Sequence, residues 1–136
     1  MTSILKRKLN NRLMELSPRA FEFFAGDLLE YLGLESVRVT RLSGDGGIDA
    51  ECRMVSGGLV QVPAGVQVKR QKQSVGRPVI DRFIGALANR YSCGIFVTTS
   101  AFSQPAREKA ESSIPYVSPI DGAMVAGIMV VGRIGV

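Results

Sequence analysis

A β-hairpin is predicted by residues 44–70, which read GDGGIDAECRMVSGGLVQVPAGVQVKR. Ile48 to Val55 and Leu59 to Arg70 have the composition of strands, and the Ser-Gly-Gly between them is typical of a turn. Pro63 and Gly65 interrupt the second strand, where they predict a bulge or an irregular edge. The glycine-rich run ahead of Ile48 is a second turn, so the hairpin has an open end there.

Three polar side chains, those of Asp49, Gln67 and Lys69, are expected at this open end. Residues i and i+2 of a strand project to the same face, so Gln67 and Lys69 point together. Positions 49 and 67 are nearly symmetric about residue 58 in the turn, which places Asp49 beside them. A carboxylate, an amide oxygen and an ammonium group therefore converge.

Oxygen ligands of this kind suit a hard divalent cation such as Mg²⁺. The predicted ligands are Asp49, the side-chain carbonyl of Gln67 and the backbone carbonyl of Val68, with a substrate phosphate completing the shell. Such an ion can polarise a phosphate, lower the pKa of the attacking water and stabilise the leaving oxygen. Lys69 then either orients or deprotonates that water, or neutralises charge on the phosphorane, and the sequence leaves these alternatives open.

A helix with its own start and stop signals is predicted ahead of the hairpin. Ser17 is the N-cap, Pro18 takes the first helical position and Gly33 supplies the left-handed C-terminal position. Between them, apolar residues recur at helical spacing: Phe21, Phe24, Ala25, Leu28, Leu29 and Leu32. Period-two alternation over Ser36 to Leu42 predicts a strand.

Helices and strands alternate after the hairpin. A helix from Pro78 has a core stripe of Ile80, Phe83, Ile84, Leu87 and Tyr91. A strand at Gly94 to Thr99, a helix at Pro105 to Ser112 and a strand at Tyr116 to Ile120 follow. Because helices join strands 3, 4 and 5, these strands are expected to run parallel. The sequence predicts an α/β domain of three layers, α/β/α, with a central mixed five-stranded sheet in the order αβββαβαβ.

Composition narrows the chemistry. Seventeen Lys and Arg against twelve Asp and Glu give a net charge of +5, which makes a polyanionic partner such as DNA plausible. The chain contains no histidine. That absence excludes Ser-His-Asp triads, Cys-His pairs, His-ligated zinc and the histidine-dependent nucleases. Any catalysis must therefore use carboxylates, amides or lysines, with or without a bound metal.

The length of 136 residues predicts one domain. Residues 1–16 are expected to be a basic N-terminal arm that could continue into a helix, and residues 17–136 a single domain. The basic N-terminus lacks the apolar run of a secretory signal, and Ala123 to Val131 is far shorter than the roughly 20 residues that cross a bilayer. Cys52 and Cys93 lack CxxC spacing and are expected to be core residues. A cytoplasmic protein without a membrane anchor is predicted.

In their order along the chain, these motifs resemble the Mrr-type restriction endonuclease catalytic domain, a branch of the PD-(D/E)xK nuclease superfamily. The resemblance covers residues 17–122. It includes Phe21-Glu22, Leu28-Leu29 and Gly33, the GDGGID turn, the QVKR strand, and the GIFVTTSAF segment with Ala106 and Ala110 behind it. A glutamine in place of the second acid is characteristic of this branch.

The resemblance implies DNA cleavage that depends on Mg²⁺, for which Mn²⁺ can substitute. It makes Asp49 the metal carboxylate, Gln67 the second ligand position and Lys69 the catalytic lysine. Glu22 matches an acid that binds the metal directly or through water, although a solvated helix residue is as good an interpretation. Glu51 is a further candidate ligand, but a surface salt bridge is the better expectation. The predicted function is an endonuclease in restriction or in defence against foreign DNA.

Two other functions stay open: a structure-selective repair or junction nuclease, and a catalytically silent nucleic-acid-binding module. For all three, the predicted DNA contacts are Arg70, Lys72 and Arg77, which follow the catalytic strand, and Gly46 and Gly47 in the turn. The apolar 123–131 segment departs from the amphipathic helix usual in the family. No second domain that reads a DNA sequence is evident, so a fragment of a larger protein, a homodimer or a partner domain is expected.

Overall fold

The computed structural model describes residues 3–39 and 47–132 of the chain. The elements in these ranges are α1 (Ser3–Glu15), α2 (Pro18–Tyr31), β1 (Glu35–Val39), β2 (Ala50–Ser56), β3 (Val60–Lys69), α3 (Arg77–Leu87), β4 (Cys93–Thr98), α4 (Gln104–Ser112), β5 (Tyr116–Ile120) and α5 (Gly122–Gly132). The predicted order is confirmed from α2 to β5, and α1 and α5 add one helix at each end.

The five strands form one sheet in the spatial order β1-β2-β3-β4-β5. β2 pairs antiparallel with β1 and β3, whereas β4 pairs parallel with β3 and β5. The parallel pairs are those joined through a helix, because a chain must cross over to start the next strand in the same direction. This arrangement confirms the predicted mixed sheet.

Helices cover the sheet on both sides and give the predicted three layers. One core lies under α1, α2 and α5, and its buried residues include Leu13, Phe21, Leu28, Leu29, Cys52, Val66, Ile95, Val97, Val125 and Met129. The other lies under α3 and α4, with Ile80, Phe83, Leu87, Phe96, Phe102, Ala106 and Val117. Alternate residues of β4 contribute to the two cores, as strand geometry requires, with Ile95 and Val97 in the first core and Phe96 in the second.

The ends of α2 follow the sequence signals. Ser17 accepts a hydrogen bond from the Ala20 backbone N–H at 3.1 Å, which caps the first turn. At the other end Gly33 has a φ of 95°, and the Leu34 N–H donates to the Leu29 carbonyl at 3.1 Å. This bond satisfies a carbonyl that the helix would otherwise leave unpaired.

The predicted irregularity at Pro63 and Gly65 is wrong. β2 and β3 pair residue by residue from Ala50↔Val66 to Ser56↔Val60, and the register shift lies instead between β1 and β2. The Pro63 carbonyl accepts from the Ser92 N–H at 2.9 Å, and pairing with β4 begins one residue later. Because the N–H and C=O of a strand residue point to the same side, the missing N–H of Pro63 interrupts no ladder.

Gly65 allows α3 to lie close to the sheet. A Cβ added there would lie 2.7 Å from Leu87 Cδ2 and 3.0 Å from Tyr91 Cδ2. Tyr91 was predicted as part of the helix that starts at Pro78, but α3 ends at Leu87. Asn89, with a φ of 67°, turns the chain after the helix, and asparagine tolerates this left-handed conformation.

Residues 3–15 of the predicted basic arm form α1, which packs on the domain. Leu13 is fully buried in the first core, and the Asn10 side-chain amide donates to the Thr99 carbonyl at 2.8 Å. The apolar 123–131 segment is helical as α5, with Met124 45% and Val131 79% exposed. No helix of the described residues is both long enough and apolar enough to span a bilayer.

Candidate active site

Asp49 lies one residue before β2 and is hydrogen-bonded to β3 through its backbone and its side chain. The Asp49 backbone N–H donates to the Val66 carbonyl at 2.7 Å, and the carboxylate Oδ2 accepts from the Val68 N–H at 2.8 Å. The side chain thus occupies the place that a further β2 backbone carbonyl would take. It is fixed beside β3 where the two strands separate.

Gln67 approaches from the facing strand, over the turn. Gly47 has a φ of 84°, and a Cβ added to it would lie 2.9 Å from Gln67 Oε1. The absence of a side chain at Gly47 therefore makes room for the Gln67 amide. Gly46, which was predicted together with Gly47 as a DNA contact, lies outside the described residues.

Lys69 is the last residue of β3 and projects from the same face as Gln67. Its carbonyl accepts a hydrogen bond from Thr98 Oγ1 at 2.8 Å, across the parallel pair that β3 forms with β4. The backbone that carries the lysine is therefore held on the β4 side, while Asp49 lies on the β2 side.

Asp49 is surrounded by groups of both signs. Asp49 is only 6% exposed, and this burial is the main reason that the pKa of its carboxyl is raised. The negative charge of Glu22 raises the pKa further, while the Val68 hydrogen bond and the charges of Lys69 and Arg19 lower it. The charges of Glu22, Lys69 and Arg19 are thus close enough to Asp49 to affect its ionisation.

Glu22 reaches the site from α2. It is 9% exposed, so it is not the solvated helix residue that was one interpretation of the sequence. Arg19 Nη1 lies 2.9 Å from Glu22 Oε1, and the Arg19 guanidinium stands 4.9 Å from the centre of the Phe23 ring. The sequence reasoning missed this role of Arg19, although its i,i+3 spacing from Glu22 on a helix was a usable signal.

The donor set can be tested for its fit to a metal ion. Within residues 3–39 and 47–132, no group of three or more His, Cys, Asp or Glu side chains could hold one. A cation would therefore need Asp49 together with Gln67 and a backbone oxygen. The Val68 carbonyl points to the same side as its N–H, which donates to Asp49, beyond the last β2–β3 pair at Ala50↔Val66. These oxygens, with Glu22 nearby, fit a hard cation such as Mg²⁺.

Glu51 takes no part in this donor set. It forms an ion pair with Arg38 and accepts a hydrogen bond from the Tyr91 hydroxyl at 2.6 Å. The bond from Tyr91 and then that from Arg38 lower the pKa of the Glu51 carboxyl. The structure therefore gives Glu51 the salt bridge that was the better expectation.

The three basic residues predicted to contact DNA differ in their surroundings. Arg70 Nη1 donates to the Met14 carbonyl at 2.9 Å, so this side chain is directed at α1, and its contact with a phosphate stays a prediction. Lys72 is exposed. Arg77 is exposed and lies 3.6 Å from Asp81, one helical turn away.

Thr99 connects three segments of the chain through hydrogen bonds. Its hydroxyl bridges to Gln71, accepting from the backbone N–H at 3.0 Å and donating to the carbonyl at 2.9 Å. Its carbonyl accepts from Asn10, and an added Cβ at Gly122 would lie 2.0 Å from that oxygen. Thr99 thus ties together α1, the chain after β3 and the start of α5.

A mixed sheet between helices, with an aspartate at one strand and Gln-x-Lys on the next, defines the PD-(D/E)xK class of nuclease folds. The family model of the Mrr catalytic domain, described as a restriction endonuclease, matches residues 13–129. The chain belongs to this family.

Relatives and solved structures agree with this assignment. The chain is 37% identical over 129 residues to the type IV methyl-directed restriction enzyme EcoKMrr of Escherichia coli (strain K12), covering 91% of this chain and 41% of the relative. Its fold is similar to that of the DNA modification-dependent restriction endonuclease AspBHI, with a TM-score of 0.79 at 21% identity, over 98% of this chain and 37% of that one. MspJI restriction endonuclease, solved in complex with a 27-mer oligonucleotide, gives a TM-score of 0.68 at 23% identity, over 95% and 32%. The chain thus spans about two fifths or less of each of these proteins.

Proposed function

We propose that this domain is a metal-dependent endonuclease that hydrolyses phosphodiester bonds of DNA, in restriction or defence against foreign DNA. The observation that carries the proposal is the junction of β2 and β3. There the buried carboxylate of Asp49 accepts a hydrogen bond from the Val68 N–H. Val68 is the residue between Gln67 and Lys69 on the facing strand. Membership of the restriction endonuclease family supports the same reaction.

Mg²⁺, or Mn²⁺ in its place, would be held by Asp49, the Gln67 amide oxygen, the Val68 carbonyl and Glu22. When bound, such an ion supplies polarisation of the phosphate and a more acidic water. The protein itself positions the groups that hold the ion. β2 and β3 hold the ligands at a fixed separation, which lowers the entropic cost of assembling the reacting groups.

Lys69 brings a positive charge to the same place. An ammonium group beside the scissile phosphate can orient the attacking water or neutralise the charge that grows on the phosphate oxygens. Removing a group that acts only in the transition state lowers kcat and kcat/KM together. A lysine that served only for binding would instead raise KM.

The proposal is tested by cleavage of supercoiled plasmid DNA, methylated and unmethylated, with Mg²⁺, Mn²⁺ or EDTA. We expect nicking or linearisation that needs the metal and falls at least about 100-fold in Asp49→Ala and Lys69→Ala. Asp27→Ala, which removes an exposed carboxylate of α2, is the matched control and should cut like the unsubstituted chain. Branched DNA run beside linear duplex separates a structure-selective nuclease from one that acts on ordinary duplex.

Absence of cutting by folded protein that still binds DNA would overturn the proposal and leave a nucleic-acid-binding module. A metal-dependent rise in melting temperature that is lost in Asp49→Ala would show whether the metal site itself forms.

We also infer that cleavage of both strands needs a second site, from another copy of the chain or from a partner. One domain has one Asp49 and one Lys69, and these can act on one phosphodiester bond at a time. Met124 and Val131 of α5 are exposed apolar side chains that could contribute to such a contact. Sedimentation of the chain with and without duplex DNA measures whether two copies assemble.

A further inference from the structure

A cavity of about 780 Å³ lies on the sheet away from Asp49, between β1, β2 and the segment after α3. Its lining includes three arginines, Arg38, Arg53 and Arg90, together with one acid, Glu51, and Tyr91. Three positive charges against one negative charge make this groove a place of positive potential. We refer to these five residues as the arginine groove.

The arginine groove lies on the same face of the sheet as the candidate active site. Directly paired residues of neighbouring strands share a face, and Glu51 pairs with both Arg38 and Gly65. Residues two apart on a strand also share a face, so Arg53 lies with Glu51, and Gln67 and Lys69 lie with Gly65. One continuous surface therefore carries both features.

The arginine groove lies close to the candidate active site along β3. Pro63 lines the cavity and Gln67 lies four residues further along β3. At about 3.3 Å per residue this is about 13 Å. A DNA strand places a phosphate about every 3.4 Å along the helix axis, so one bound duplex can span both places.

The guanidinium groups of the groove differ in how they are engaged. Arg38 is paired with Glu51. Arg53 is exposed and forms no ion pair with any residue that the structure describes. Arg90 stands 5.2 Å from the centre of the Tyr91 ring and is exposed as well. Among the described residues, Arg53 and Arg90 are thus the two cations of the groove that form no ion pair.

Tyr91 holds Arg90 in place. Its hydroxyl donates to Glu51, and its ring lies against Gly65, where an added Cβ would be 3.0 Å away. The ring is therefore fixed to β2 and β3, and it presents a flat face on which the guanidinium of Arg90 stacks. A cation that is already positioned loses less entropy when it binds.

We propose that the arginine groove binds backbone phosphates of the same DNA duplex whose scissile phosphate lies at Asp49. A guanidinium matches the geometry of a phosphate with two parallel hydrogen bonds. The proposal rests on the proposed nuclease function and adds Arg53 and Arg90 to it as substrate-binding residues. These contacts bind the duplex near Pro63, about 13 Å along β3 from Gln67, and do not touch the reacting atoms.

The test measures the affinity of the chain for a duplex oligonucleotide in EDTA, over a series of salt concentrations. Arg53→Gln and Arg90→Gln should each weaken binding about tenfold at low salt. Each should also reduce the slope of log K against log salt by about 0.9. Arg82→Gln is the matched control, because it removes the same charge from an exposed position of α3 outside the groove. Arg53→Lys should keep the slope but lose part of the affinity, since a lysine cannot form the paired bonds.

Plasmid cleavage with the same variants separates the two proposals. At low DNA concentration, Arg53→Gln and Arg90→Gln should cut about tenfold more slowly than the unsubstituted chain through a higher KM, because a tether adds equally to the bound state and the transition state. If both bind and cut like Arg82→Gln, the arginine groove is not a DNA site, while the nuclease proposal stands. If the chain binds DNA with the predicted arginine dependence but never cuts, the groove stands and the nuclease function fails. If the unsubstituted chain binds no DNA, both proposals fail. Melting curves establish that each variant is folded.

Discussion

The ionisation of Asp49 links the site to stability. Burial raises the pKa of this carboxyl, so the folded chain holds the proton more tightly than the unfolded chain does. The resulting stabilisation is present at pH values below the pKa of the unfolded chain, and it is lost as the pH rises through the raised pKa of the folded chain. At neutral pH in EDTA, the Asp49 carboxylate therefore destabilises the fold.

We expect Asp49→Asn to be more stable than the unsubstituted chain at neutral pH in EDTA, and the difference to shrink as the pH falls below the raised pKa. Thermal unfolding from about pH 3.5 to pH 7.5 measures this, with Asp27→Asn as the exposed control. An Asn variant that is less stable at all of these pH values would show that the bond from Val68 outweighs burial.

Gly47 allows a second prediction at the residue scale. Any side chain there meets both a φ of 84° and the Gln67 amide at 2.9 Å. Gly58 has a similar φ of 72°, but an added Cβ meets nothing within 4 Å. Gly47→Ala and Gly58→Ala should thus each lose about 1 kcal/mol of stability from the same backbone strain. Urea unfolding measures both losses.

Cleavage should then tell the two glycines apart. Gly47→Ala should displace Gln67 and lower the cleavage rate at least about tenfold, because small displacements of positioned groups are costly. Gly58→Ala should cut normally. Equal rates for the two variants would mean that the placement of Gln67 over Gly47 has no part in the reaction.

Among the elements, α3 depends on glycines of the strands beneath it. A Cβ at Gly94 would lie 2.5 Å from Leu87 Cδ1 and 2.8 Å from Phe83 Cε2. Gly94→Ala should cost about 1 to 3 kcal/mol through overpacking. Gly85→Ala, on α3 itself with nothing within 4 Å, should be neutral or stabilise the fold by up to about 1 kcal/mol. Denaturant unfolding of the two variants measures the difference, and equal stabilities would show that the helix shifts freely.

The ends of a helix could be predicted from the sequence, whereas contacts between neighbouring elements could not. The limits of α2 were readable because Ser17, Pro18 and Gly33 act locally, through caps and backbone preference. The roles of Pro63 and Gly65 could not be predicted from the sequence, because they depend on where β4 starts and on how closely α3 packs against the sheet. Both residues have the composition of a bulge, and only the neighbouring strand and helix show that none is needed.

For the whole molecule, the meeting of Asp49 with the Gln67–Lys69 strand followed from hairpin symmetry and strand alternation alone. The direction of the Arg70 side chain could not be predicted from the sequence, because it depends on a contact with α1, which is far from Arg70 along the chain. The arginine groove was also hidden in the sequence. Its lining comes from separate parts of the chain, and no local spacing pattern links Arg53 with Arg90.

The candidate active site lies between the two helical layers of the domain and takes residues from both sides of the sheet. Glu22 comes from α2 on one side of the sheet, whereas Gln67 and Lys69 lie on the face toward α3 on the other side. A half-folded chain, with only one of its two cores in place, would lack part of this set. If the domain cuts DNA as proposed, an incompletely folded copy cannot cleave the chromosome of the cell that makes it, because its active site is incomplete. The enzyme becomes active only when folding is complete.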